Sequence, residues 1–230
     1  MARMSPATRA RRLVRTIAGY GSVVAGGLGI GRERPFRGPL LAQISIADPC
    51  NHRCVMCPYH PSDTPHRPLL QRFGGTPPGL MPLAQYEKIV DELARMGTRR
   101  VDLVGRGEPL LHPDAIPMVA AARRRELEVS LTTNGSRLDD STAEGMAWAG
   151  LDRIKVSLNA GRAETYPLIH TSEGPGDYRR VLDGVRRLTA QRPSGPHVTL
   201  SFTLMAYNHA EMLDMVQRAV ETRADSIWFQ

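Results

Sequence analysis

Cys50-Asn51-His52-Arg53-Cys54-Val55-Met56-Cys57 holds every cysteine of this 230-residue chain, with three and then two residues between them. Three thiols so close together cannot pair completely as disulfides, and they fall one short of a closed four-cysteine zinc site. A cubane iron–sulfur cluster normally takes four thiolates, so three leave one iron open to a small molecule. Two plainer readings stay open at this point. One is zinc bound by the three cysteines with His52 or His60, and the other is three unconnected structural thiols.

Leu41-Ala42-Gln43-Ile44-Ser45-Ile46 alternates and reads as a strand running straight into the cysteines. Residues 58–80 hold six prolines, which predicts a long loop or flap. Pro82 opens a helix through Met96, with Tyr86, Ile89, Val90, Leu93 and Ala94 on one face and Gly97 as its stop. The alternation then repeats. Strands are expected at Val101–Val104, Val129–Thr133, Ile154–Leu158, His197–Leu204 and Ser226–Gln230. Helices are expected over about 114–125 and 139–149, and again where Tyr178, Val181, Leu182, Val185 and Leu188 form a stripe. Asn208, with Glu211 three residues on, predicts a capping box for a helix over Ala210–Thr222.

Strands alternating with helices at this spacing imply an α/β fold with a parallel sheet and right-handed crossovers. Six strands are fewer than the eight of a closed barrel, so the expectation is an open partial (β/α)6 barrel. The sixth strand has no helix after it, which leads us to expect a missing last helix and C-terminal domain. In such folds ligands sit at the C-terminal ends of the strands, and every polar motif here falls at one. The cysteines follow the first strand and Gly105-Arg106-Gly107-Glu108-Pro109 the second. Thr132, Thr133 and Asn134 end the third, and Ser157 and Asn159 the fourth. Arg162 and His170 lie further on; they could reach the same cavity, but each reads first as a solvated loop residue.

The C-x3-C-x2-C run resembles the cluster motif of the radical S-adenosylmethionine (radical SAM) superfamily. The Gly105–Pro109 element resembles that family's glycine-glycine-glutamate element, with Arg106 where its strictest form has glycine. The resemblance covers about residues 41–230. It implies a [4Fe-4S] cluster on Cys50, Cys54 and Cys57, with SAM at the open iron. It further implies that Gly105, Gly107, Glu108 and Pro109 bind SAM, with Gly107 and Glu108 holding its ammonium group. Thr133, Asn134, Ser157 and Asn159 would meet its carboxylate and ribose, and Tyr59 would line the adenine pocket. The implied activity is reductive cleavage of SAM to methionine and a 5′-deoxyadenosyl radical that takes hydrogen from a substrate. Cys-Val-Met-Cys-Pro and the segment from Ser157 to Tyr166 look most like the branch with a C-terminal SPASM or twitch domain. That likeness implies a peptide or protein substrate, and a reductant such as ferredoxin or flavodoxin. A non-catalytic relative that keeps the cluster fold is the alternative class.

Residues 1–40 carry eight arginines against one acid, which accounts for the whole formal charge of +7. They form a basic N-terminal arm before a core domain expected over 41–230. Leu13–Ile30 is weakly apolar but holds Arg15 and five glycines, so no membrane span is expected there. No aromatic interleaving accompanies the arginines, and no nucleic-acid partner is expected. Three cysteines in a chain of this length argue for a reducing cytoplasm.

Overall fold

Six strands alternate with helices in the computed structural model, which describes residues 38–60, 79–171 and 175–230. The strands are β1 (Leu41–Ile44), β2 (Arg100–Leu103), β3 (Glu128–Thr133), β4 (Arg153–Ser157), β5 (His197–Phe202) and β6 (Ser226–Phe229). They pair in chain order and every pair is parallel, so each crossover joins nearest neighbours. The helices between them are α1 (Leu83–Arg95), α2 (Ala115–Arg124), α3 (Asp140–Trp148), α4 (Tyr166–Ile169), α5 (Pro175–Ala190) and α6 (Met212–Thr222). β1 and β6 are the two edges, which makes the sheet the open partial barrel that the strand count predicts. The basic arm to residue 37 and the proline-rich segment 61–78 lie outside the described residues.

Alternation along the strands decides which side the helices cover. Val101 and Leu103, Val129 and Leu131, Ile154 and Val156, and Val198 and Leu200 are all fully buried in one core. Tyr86 and Val90 of α1, Met118 and Val119 of α2, and Val181, Val185 and Leu188 of α5 complete it. Each such side chain contributes about 1.5–3 kcal/mol when taken from water. The intervening residues Asp102, Ser130, Thr132, Lys155, Ser157 and Thr199 are polar and half-buried. A sheet with helices on both faces would be apolar on both. Here one face is apolar and the other is a polar concave wall.

Two local expectations give way. A short helix, α4, appears where none is expected, because Tyr166 and Ile169 are both buried and Pro167 suits a first turn. The capping box of Asn208 and Glu211 does not form. A 3₁₀ turn, His209–Glu211, precedes α6, and Asn208 makes no side-chain cap. Both residues are buried and bond elsewhere. Asn208 Oδ1 accepts from the Met205 N–H at 2.7 Å, and its Nδ2 donates to the carbonyls of Asn159 and Thr203, each at 2.8 Å. The Glu211 carboxylate accepts from the Gly161 N–H at 2.9 Å and from the Thr165 hydroxyl. Tertiary partners outbid the local cap, since a buried carboxylate without donors is costly.

Candidate functional site

The three cysteines close the C-terminal end of the sheet, and each sulfur has a polar partner. The His52 N–H donates to Cys50 Sγ at 3.4 Å and the His60 N–H to Cys57 Sγ at 3.4 Å. His170 Nδ1 lies 3.0 Å from Cys54 Sγ. Hydrogen bonds to sulfur stabilise the negative charge of thiolates at iron–sulfur centres. Burial pushes the free Cys50 thiol up to about 11, against the opposing pull of the His52 N–H. That thiol is therefore protonated unless a cation claims it.

The loop is held by backbone on both sides. Val55 N–H donates to the Ile169 carbonyl at 3.0 Å and Thr171 N–H to the Arg53 carbonyl at 3.2 Å, which clamps Cys54 against the end of α4. On the other flank Gly107 N–H donates to Ala47 at 3.0 Å and Glu108 N–H to Pro49 at 2.9 Å. A Cβ on Gly107 would lie 2.5 Å from the Asp48 carbonyl carbon, and one on Gly105 would collide with Ser45. The glycines of this element thus admit the backbone leading into Cys50, a close approach that sequence reading assigns to a ligand.

Glu108 is 3% exposed. Its carboxylate accepts from the Leu110 N–H at 2.9 Å, the Thr133 hydroxyl at 2.7 Å and the Asn134 N–H at 2.7 Å. Burial raises its pKa, and those three donors oppose the rise. Pro109 is buried at the start of the 3₁₀ turn Pro109–Leu111. Asn134 extends the chain of contacts to the cysteines. Its Nδ2 donates to Asn51 Oδ1 at 3.0 Å, Asn51 Nδ2 reaches Ser136 at 2.8 Å, and its side chain also meets the Cys50 thiol. Asn134 serves the turn as well, accepting from the Ser136 N–H at 2.9 Å.

The remaining expected residues separate. Ser157 and Thr132 lie half-buried on the concave wall. Asn159 is buried in the left-handed region at φ 55°, and its Oδ1 accepts from the Thr203 N–H at 2.9 Å. It joins β4 to β5 within the protein. Tyr59 is exposed beside Cys57, with the Arg106 guanidinium 5.8 Å from its ring centre. Arg162 is exposed and paired with Asp214 at 2.8 Å, as a solvated residue should be. His170 is not solvated. It is 1% exposed, stacked on Tyr166 with ring centres 4.4 Å apart, and turned onto Cys54. It sits 113 residues beyond the last cysteine, and the packing of α4 on the cysteine loop is what turns it onto Cys54.

The donor geometry decides which group these residues fit. Among the described residues, the one His/Cys/Asp/Glu set with all ligand atoms within 4.8 Å of one another is His52, Cys54 and His170. The three sulfurs are not such a set. One zinc would hold its thiolates about 4 Å apart, as follows from Zn–S bonds near 2.3 Å. The three thiols therefore do not close on one point as the ligands of a single ion would. A cavity of 780 Å³ lies elsewhere, among Arg162, Arg186 and Arg218 with Asp183, Asp214 and Glu221. Those charges pair with one another at 2.6–2.8 Å and converge on nothing. No helix among the described residues is long and apolar enough to cross a membrane.

The Radical SAM superfamily matches residues 44–219. A curated relative, "Probable GTP 3',8-cyclase" of Thermococcus kodakarensis, is 35% identical over 184 residues, covering 78% of this chain and 53% of the relative. The chain therefore spans about half the length of the curated relatives it matches. Streptococcus suis SuiB bound to S-adenosylmethionine superposes with a TM-score of 0.64 at 17% identity, over 83% of this chain and 40% of that one. The structure of anSMEcpe with AdoMet and the Kp18Cys peptide gives 0.63 at 16%, over 84% and 51%. These two share the open parallel fold. The chain belongs to the radical SAM superfamily, whose cofactors are a [4Fe-4S] cluster and SAM.

Proposed function

We propose that this chain is the SAM-cleaving domain of a radical enzyme acting on an anionic small molecule. When bound at Cys50, Cys54 and Cys57, the cluster supplies the electron that cleaves SAM to methionine and a hydrogen-abstracting 5′-deoxyadenosyl radical. The observation that carries the reading is that the three thiols share one loop yet do not all lie within 4.8 Å of one another, as the ligands of a single ion would. Glu108 keeps one of its four lone-pair positions after three donors, enough to accept from the SAM ammonium group. Gly105, Gly107 and Pro109 seat that carboxylate beside the cysteine loop, and Thr133 and Asn134 orient it. Of the two residues ending β4, Ser157 faces the concave wall and takes the SAM contact, while Asn159 braces the rim. Tyr59 offers a flat ring beside Cys57 for the adenine.

The substrate class rests on Lys155. Its ammonium lies on the concave wall, 4.4 Å from the Trp228 ring centre, and no carboxylate pairs with it among the described residues. A cation on the wall of a cleft attracts anions. The curated relatives at 30–35% identity are named for a reaction of GTP, a polyanion. A peptide is the second reading, supported by the peptide-bound fold neighbour.

The test is anaerobic reconstitution with iron and sulfide, followed by reduction with SAM present and assay of 5′-deoxyadenosine. Wild type yields product and Cys57→Ala none; a wild type that binds four irons and leaves SAM intact would overturn the reading. GTP and a cysteine-containing peptide are then added separately, with ferredoxin or flavodoxin replacing dithionite. Faster SAM turnover with GTP, lost in Lys155→Met, supports the anionic substrate, and acceleration by peptide alone replaces it.

A further inference from the structure

The clamp between the cysteine loop and α4 brings together three donor atoms that the cluster does not use as a set. His170 Nε2 lies 3.2 Å from the Leu158 carbonyl, which can only accept, so Nε2 carries the proton. The lone pair of the neutral ring is then on Nδ1. That atom faces Cys54 Sγ at 3.0 Å and His52 Nδ1 at 3.4 Å. A second-sphere carbonyl fixing one ring nitrogen while the other faces a metal is how protein imidazoles are prepared as ligands. Tetrahedral zinc with bonds near 2.0–2.3 Å sets its nitrogen and sulfur donors about 3.3–3.7 Å apart, close to the spacing found here. The ring of Tyr166 behind His170 and the paired backbone on both sides of Cys54 hold the set in register.

We infer that the cluster-free chain holds one zinc-class divalent ion on His52 Nδ1, Cys54 Sγ and His170 Nδ1. One thiolate with two imidazoles is a borderline-soft set that suits zinc, and three protein donors leave a fourth position for water. Ion binding releases the proton of Cys54. Because Cys54 is also one of the cluster's proposed ligands, the ion and the cluster exclude each other. That consequence alone rests on the functional reading above, whereas the ion site does not. Zinc here makes a closed resting form in which Cys54 is capped until iron and sulfide displace the ion.

The probe is cobalt(II), titrated anaerobically into the cluster-free full chain. One equivalent is expected to give the visible bands of a tetrahedral ion with a thiolate-to-cobalt charge-transfer band, bleached by zinc. A Cys50→Ser/Cys57→Ser double variant, which cannot carry a cluster, keeps both features. Cys54→Ser, nearly isosteric with the native side chain, loses the charge-transfer band. His170→Ala removes a direct donor and weakens binding by more than the roughly 10–100-fold that an outer partner of a metal site is worth. Circular dichroism checks that each variant is folded, and His170→Asn serves if His170→Ala is not. A charge-transfer band lost in the double variant but kept in the folded His170 variant would move the ion to the cysteine trio and overturn the inference. Absence of cobalt bands in wild type would overturn it as well. These outcomes do not involve SAM, so they are separable from failure of the radical reading.

Discussion

Two buried polar networks occupy the C-terminal end of the same sheet, and they end in different places. Between β2 and β3, Glu108 gathers Leu110, Thr133 and Asn134, and the chain of bonds runs on through Asn51 to the Cys50 thiol. Between β4 and β5, Glu211 gathers Gly161 and Thr165, while Asn208 ties Asn159 to Thr203. Tyr178 adds a hydroxyl donated to the Gly161 carbonyl at 2.7 Å. The second network closes on the protein's own backbone. Each holds a buried glutamate, and from sequence the polar ends of the strands beside both networks are candidates for ligand. The difference lies in where the bonds stop: one network delivers its order to the cysteine loop, and the other only joins the two loops it lies between.

The comparison breaks most sharply at Glu211. Glu211→Ala removes both acceptors and leaves a buried N–H and hydroxyl without their partner, at about 1–3 kcal/mol each. We expect a loss of about 4 kcal/mol in urea unfolding, with SAM affinity of the surviving folded fraction unchanged. Lost SAM affinity there would mean that the β4–β5 network also serves the ligand. Gly107→Ala is the matching strike on the first network. Its methyl meets the Asp48–Pro49 backbone rather than a flexible side chain, so the neighbour cannot yield cheaply. Overpacking of this kind costs about 1–3 kcal/mol. The expected signature is fewer irons bound after reconstitution at a given protein concentration. Full iron content would show that the cysteine loop tolerates the shift.

Much of this contrast was legible beforehand, and the part that was not has one cause. Strand order and helix stripes follow from local periodicity, so Tyr86, Val90 and Val185 pack where their spacing puts them. The cysteines declare themselves because three thiols in eight residues have few other uses. Glu108 was found through its motif, but its carboxylate bonds depend on Thr133 and Asn134, 25 and 26 residues away. Neither His170 nor Glu211 carries a local signal of the partners it has in the fold. Their partners lie 116 and 50 residues off in sequence, and periodicity reports only neighbours on the same element. Glu211 even carried a false signal, because Asn208 and Glu211 have the spacing of a cap that burial then overruled.

A milder probe separates architecture from ligand binding within the first network. Glu108→Gln keeps the shape but replaces one acceptor oxygen with a donor, so at least one of the three donors now faces an N–H group. The expected cost is about 2 kcal/mol, the price of one unpaired buried group. If the remaining lone pair of Glu108 meets the SAM ammonium, affinity measured by calorimetry on the reconstituted protein falls about tenfold or more, since a charge-assisted bond is lost. A drop in stability with affinity intact would confine Glu108 to the architectural part that Glu211 plays.

The smallest effect sets the scale for the others. Asp139 caps α3, accepting from the Thr142 N–H at 2.8 Å and the Ser141 hydroxyl at 2.8 Å, at an exposed position and with no bond to either network. Its bonds are entirely local, and they hold its carboxyl below the ordinary 3.8, with the Thr142 N–H the largest cause. Asp139→Ala should therefore cost about 1 kcal/mol, as N-cap removal usually does. The sign with pH follows from the lowered value. Between the folded and unfolded pKa the unfolded chain binds more protons, so the cap's contribution is present above about pH 4 and fades as pH falls through the folded value. Wild type and variant unfolding curves should thus converge in acid. Persistence of the gap there would mean that the side chain stabilises the helix start by packing and not through its charge-dependent bonds.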